Sequence, residues 1–204
     1  WLMALDQDFR MGVPAIATCF DSLSRRKLMK SFGEFGVAAE RAYMAEVPNC
    51  PDLIQRATRM DFSNYLAEDI LVKVDRSSML NSLEVRAPFL DYRMIEFAYS
   101  KVPTRLKIYG GERKILLKRL TKRVLPAEFD SQRKQGFSIP LDEWIKRGEF
   151  RKLFYDVLSD PECCFDASMV ASLLRGQDRG RKNGERLFAL LLFELWRREY
   201  NVTF

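Results

Sequence analysis

No histidine occurs among the 204 residues, and that absence removes more chemistry than any other feature of the composition. Zinc sites built from cysteine and histidine are excluded, as are the Ser–His and Cys–His pairs that activate many nucleophiles. Proton transfer would fall to carboxylates, lysine, tyrosine, water or the substrate itself. Cysteine is scarce too. Cys19, Cys50, Cys163 and Cys164 include no C-x-x-C pair, and the adjacent Cys163 and Cys164 make a poor disulfide. They read as small thiols in a reducing cytoplasm. Long hydrophobic runs are lacking as well: stretches such as Leu187 to Leu192 fall far short of the ~18 apolar residues a membrane span needs. The first twenty residues carry Asp6, Asp8 and Arg10 rather than a basic-then-apolar leader, so the expected location is cytoplasmic, with no membrane partner. Strand-like alternation is nearly missing and no internal repeat is found.

What is present is a core-forming, mainly α chain. It is 47% apolar and 12% aromatic, enough for one large domain or two small ones. The formal charge is +6, unevenly spread: residues 101 to 134 hold 11 Lys or Arg against 3 acids, a local +8 that leaves the remainder slightly acidic. Such a patch suits an anion, whether nucleic acid, phosphate or pyrophosphate. Its aromatics, however, lie at apolar-face positions and form no stacking platform, so nucleic acid is not expected as a partner. A basic helical nucleic-acid-binding or interaction module is the alternative of another class.

Helix signals recur along the chain. Asp21 with Ser22 is placed to cap a helix running through Leu23, Leu28 and Met29, Asp52 to cap the next helix, Asp91 one over Tyr92 to Lys101, and Asp166 one over Ala167 to Leu174. Ser63 to Leu80, "SNYLAEDILVKVDRSSML", has helical spacing, with Asp69, Lys73 and Arg76 on one face and Asp75 on another. Gly110 and Gly111 form a turn before a helix in which Ile115, Leu116, Leu120 and Val124 face a core and the lysines lie elsewhere. "GQDRGRKNG" reads as a mobile basic loop, and Gly184 to Tyr200 as a centrally buried helix.

Two stretches raise questions of chemistry. "SLEVRAPFLD" sets Glu84, Arg86 and Asp91 in an apolar, proline-punctuated turn. If the turn is buried each charge needs a partner, because a stranded ion costs several kcal/mol. Asp91 has a sufficient task as a helix cap; Glu84 and Arg86 belong either to a structural ion-pair knot with Asp75 and Arg76 or to one wall of a polar site. In "SQRKQGFSIPLDEW", Lys134 sits in a loop two residues before Gly136, where the backbone can approach a ligand closely.

Four ordered blocks, "DILVKVDRSSMLNSLEVRAPFLDYRMIEFA", "GGERKILLKRL", "LPAEFDSQRKQGFSIPLDEW" and "LFALLLFELWRREY", resemble the synthetase domain of glutamine-dependent asparagine synthetases. The resemblance runs from about Tyr65 to Tyr200, with residues 1–62 a loosely matched N-terminal helical segment and 63–204 the helical C-terminal part. It implies the helical C-terminal half of an α/β ATP pyrophosphatase-type (adenine nucleotide α-hydrolase-like) synthetase domain. In that family ATP and Mg²⁺ convert the aspartate side-chain carboxylate into an acyl-adenylate with release of pyrophosphate. Ammonia from glutamine, liberated by a separate glutaminase domain, then attacks. The family's S-G-G-x-D-S nucleotide loop and its acidic G-D-E-x-F-G-G-Y stretch, which helps hold Mg²⁺, have no counterpart in these residues. The expectation is therefore a fragment that is inactive alone, carries no metal ligands and is prone to self-association.

The resemblance assigns Lys134 to the ATP phosphates, where an ammonium would neutralise charge on departing pyrophosphate. Lys73 falls where the family often has a pocket-lining cation, lysine here where some members have arginine with its bidentate grip. Asp75, Arg76, Glu84 and Arg86 recur together in the family pattern, read here as a buried network that shapes the pocket wall, with direct substrate contact as the other reading. A related amidotransferase, or a β-lactam synthetase-like enzyme acting on another carboxylate, is the alternative within the superfamily.

Overall fold

A computed structural model describes residues 18–29, 41–42, 50–130 and 139–203. The chain divides into two compact units, one made of Trp1–Ala42 with Phe137–Phe204 and the other of Tyr43–Gly136.

In the first unit the described elements are α1 (Ser22–Leu28), then, after the second unit in chain order, four helices that close its core. The middle unit holds α2 (Leu53–Asp61), a wide i→i+5 segment over Phe62–Leu71, α3 (Val72–Met79), a 3₁₀ turn at Pro88–Leu90, α4 (Tyr92–Ser100) and α5 (Thr104–Lys107). The hairpin β1 (Ile108–Tyr109) and β2 (Glu112–Arg113) and helix α6 (Ile115–Val124) complete it. The first unit resumes with α7 (Leu141–Trp144), α8 (Gly148–Leu158), α9 (Ala167–Asp178) and α10 (Gly184–Glu199). The protein is mainly helical, as its patterning requires.

All four aspartate caps form. Asp21 accepts from the Ser24 amide, Asp52 from those of Ile54 and Gln55, Asp91 from Arg93, and Asp166 from Met169. Each satisfies amides that the first helical turn leaves unpaired. Ala87, ahead of Pro88, is extended (φ −106°, ψ 100°), as the proline ring demands.

In the first unit, one face of α10 supplies Leu187, Leu190 and Leu191, which pack with Phe154 and Leu158 of α8 and Ile145. Its opposite flank is open, for Leu192 and Trp196 are exposed, so α10 is buried along a stripe rather than all round. A bridge between Met29 and Phe165 ties the end of α1 to this core. Inside it lies Glu194, whose side chain is fully buried.

Several expectations change. The Gly110–Gly111 turn closes a two-residue hairpin, both glycines having φ > 0 (55° and 80°), the geometry that matches strand twist. On α6, Ile115 and Leu116 are half-buried but Leu120 and Val124 are exposed, so that apolar face is only partly covered in its unit. Over residues 62–71 the wide turns replace the α-helical spacing expected there. The expected loop "GQDRGRKNG" begins inside α9, which runs to Asp178, and its Gln177 is buried.

Candidate functional site

Lys73, Asp75 and Arg76 lie on α3, and Glu84 and Arg86 follow it outside any helix or strand. Helix α3 ends through two turn bonds, Leu83 N–H to Ser78 C=O (3.0 Å) and Ser82 N–H to Met79 C=O (2.9 Å), with Ser82 left-handed at φ 55°. This is the usual glycine position of such a helix end, occupied by serine. It turns the chain so that residues 83–87 leave α3 exposed to solvent.

Lys73 Nζ stands 3.8 Å from Asp69 Oδ1, so that pair of the predicted stripe meets, half-exposed on both sides. Glu84 and Arg86 pair with each other: Nε and a terminal guanidinium nitrogen of Arg86 donate to Glu84 Oε1 at 2.9 and 2.7 Å. The side chains are 71% exposed for Glu84 and 85% for Arg86, which corrects the expectation of a buried network. The physical reason is local. Glu84 and Arg86 stand two residues apart outside any helix or strand, so they reach one another without the chain folding back onto α3. Among the described residues no ion pair joins Asp75 or Arg76 to them. Asp91 is engaged by Arg93, whose Nε and terminal nitrogen donate to its two oxygens at 2.9 and 2.7 Å. Lys134 lies outside the described residues.

Downstream of the Lys134 stretch, the described chain is anchored by a polar knot that the sequence did not disclose. Asp142 Oδ1 accepts from Gln177 Nε2 (3.0 Å) and from the Gly184 amide at the start of α10 (3.2 Å). Gln177 Oε1 in turn accepts from the Asn183 amide (2.8 Å), and Asn183 Nδ2 donates to the Leu173 carbonyl (2.9 Å). A Cβ at Gly184 would stand 2.6 Å from Asp142 Oδ1, so glycine is what allows this approach. The knot fixes α7 to the ends of α9 and α10.

Within the basic stretch, Lys107 is held in place. Its Nζ donates to Gln55 Oε1 (3.3 Å) and stands 4.9 Å from the Tyr99 ring centre. Burial pulls its ammonium below the usual lysine range and Arg59 adds to this, against the opposing pull of Asp52. On α6, Arg119, Lys122 and Arg123 are exposed and Lys118 is half-buried. Among the described residues no group of three His, Cys, Asp or Glu side chains is placed to hold a metal ion. No described helix is long and apolar enough to cross a membrane.

The described residues form a mainly helical body, with the "VDR" stretch on α3 and the "LDEW" stretch on α7. The chain belongs to the asparagine synthase family, whose family model matches residues 9–198. It is 32% identical over 148 residues to the provisionally named glutamine-hydrolyzing asparagine synthetase of Mycobacterium tuberculosis strain H37Rv, covering 71% of this chain and 22% of that protein. Glutamine-hydrolyzing asparagine synthetase 1 of Bacillus subtilis strain 168 is 29% identical over 159 residues, 76% of this chain and 25% of that protein. The chain thus spans about a quarter of the length of the curated relatives it matches. No solved structure matches it significantly.

Proposed function

We propose that the whole enzyme to which this chain contributes makes asparagine: ATP activates the aspartate side-chain carboxylate as an acyl-adenylate with loss of pyrophosphate, and ammonia from glutamine displaces AMP. The observation that carries this reading is the family match over residues 9–198. The nucleotide loop, the Mg²⁺-holding acids and the glutaminase would come from the remaining three-quarters of a protein of the relatives' length. This chain alone is then inactive.

In that reading Lys134 places an ammonium against the ATP phosphates, where it offsets the charge gathering on pyrophosphate as the adenylate forms. Its effect is greatest in a closed, low-dielectric site. Lys73, on α3 and beside Asp69 of the preceding wide-turn segment, would present a cation to the substrate pocket, while Asp75, Arg76 and the Glu84–Arg86 pair would shape its wall. Their exposure is compatible with that role: charges that pair on an open surface are available to whatever the rest of the enzyme packs against them. ATP with Mg²⁺ is the cofactor set, and aspartate, glutamine and ammonia are the small-molecule partners, in the cytoplasm.

The test is Lys134→Ala in the full-length enzyme. Aspartate-dependent exchange of pyrophosphate into ATP should fall by roughly a hundredfold or more, the usual cost of removing one group that stabilises transition-state charge. Glutamine hydrolysis should be largely retained. Undiminished exchange would overturn the role given to Lys134, and exchange that needs a carboxylate other than aspartate would overturn the substrate.

A further inference from the structure

Apart from the residues assigned to synthesis, the middle unit contains a second polar feature, a cavity of about 670 Å³ between the α2 end and α4. Each side contributes a similar triplet. Arg59, Phe62 and Ser63 come from the chain running out of α2, three and four residues apart; Glu96, Tyr99 and Ser100 come from α4 with the same spacing. Residues so spaced share a helix face. The cavity therefore has a cation on one wall, a carboxylate on the other, a hydroxyl beside each, and an apolar floor of Phe62, Ile95 and Tyr99.

The floor is fixed. Tyr99 donates its hydroxyl to the Thr58 carbonyl (2.9 Å), and Phe62 meets its ring edge-on at 6.0 Å between centres. Gln55 Nε2 donates to the Tyr99 carbonyl (3.2 Å). The Arg59 guanidinium lies 5.3 Å from the Tyr99 ring centre, a cation–π contact that orients it without neutralising it. Arg59 and Glu96 face the same space, yet neither makes an ion pair with the other or with any other described residue. A fork of donors and a lone carboxylate held apart across an apolar floor complement a small zwitterion.

We propose that this cavity binds a free α-amino acid with an aliphatic side chain. Its carboxylate meets Arg59, its ammonium meets Glu96, and its side chain lies on Phe62, Ile95 and Tyr99. The proposal is independent of the catalytic reading, since it uses none of the residues assigned to synthesis.

The experiment titrates the 204-residue chain, labelled with ¹⁵N, with L-leucine, L-leucine methyl ester and N-acetyl-L-leucine. Leucine should shift the Ser63, Glu96 and Ser100 amides saturably with Kd of about 1 mM, reasonable for so few heavy atoms in an open site. The ester lacks the carboxylate and the acetyl derivative lacks the ammonium; each should bind roughly fivefold more weakly, since both contacts are exposed to solvent. Arg59→Gln should abolish the difference between leucine and its ester, and Glu96→Gln that between leucine and its acetyl derivative. No saturable shifts, or equal binding of all three compounds to the unaltered chain, would overturn the proposal. Should either variant fail to fold, the three-compound series on the unaltered chain decides alone.

Discussion

Glu194 shows what a single residue can demand of its surroundings. Burial by itself would keep such a carboxyl protonated, but Arg197 donates at 2.7 and 3.0 Å, Arg198 at 2.7 Å, and the Cys164 amide at 3.3 Å. These bonds outweigh burial and bring its pKa to about 2, against an ordinary 4.5. The same carboxylate, after burial, pushes the Cys164 thiol up to about 12, which leaves it protonated and inert at neutral pH. The sign of the pH effect follows from the lowered value: stabilisation is complete above the unfolded pKa, about 4.5, and is lost as pH falls through the folded value near 2. The contribution is on the order of 3 kcal/mol, a magnitude set by the size of the shift. Urea melts of Glu194→Gln should show this acid-labile component gone, with neutral-pH stability lower by a similar amount because Arg197 loses its anion and Arg198 keeps only Asp160 (3.1 Å). Parallel pH profiles for the two proteins would show that the network carries no such energy.

Among the elements, ends are better defined by sequence than middles. An aspartate cap acts within three residues, so Asp21, Asp52, Asp91 and Asp166 could each be read from their immediate neighbours. The Asp69–Lys73 pair was legible for the same reason. The Asp142–Gln177–Gly184 knot was not, because its partners stand 35 and 42 residues apart and no local pattern announces them. Nor was the wide-turn segment after α2, whose composition differs little from that of an α-helix. Glu84 and Arg86 read as members of a buried network with Asp75 and Arg76, whereas they pair with each other in the open, since apolar neighbours imply a core only when something covers them. Ser82 ends α3 in a left-handed conformation that costs a non-glycine residue roughly 1 kcal/mol. Ser82→Gly should therefore raise the melting free energy by about 0.5–1 kcal/mol, partly offset by the freer unfolded chain. Calorimetry checks it, and a destabilised variant would mean that the serine side chain holds the turn.

For the whole molecule, the two units differ in how much apolar surface they enclose. The unit containing α8, α9 and α10 surrounds a continuous core. In the middle unit Met79, Leu80, Leu83, Val85 and Phe89 follow one another in an exposed run, with Leu80 87% exposed. A contiguous apolar patch on a free surface promotes association. The isolated chain is accordingly expected to self-associate, with light scattering showing mass growing with concentration and Leu80→Gln with Phe89→Gln shifting it toward monomer. A monodisperse monomer at high concentration would contradict this.

The Asp142 knot also bears on chemical ageing. Asn183–Gly184 is the type of dipeptide that deamidates most readily, because an unhindered glycine nitrogen can attack the neighbouring side-chain amide and close a succinimide ring. Here that nitrogen is engaged by Asp142 and the amide by the Leu173 carbonyl. Native packing thus doubles as a preservative for the bond most liable to decay, and storage damage at this dipeptide becomes a marker of how long the chain has spent unfolded.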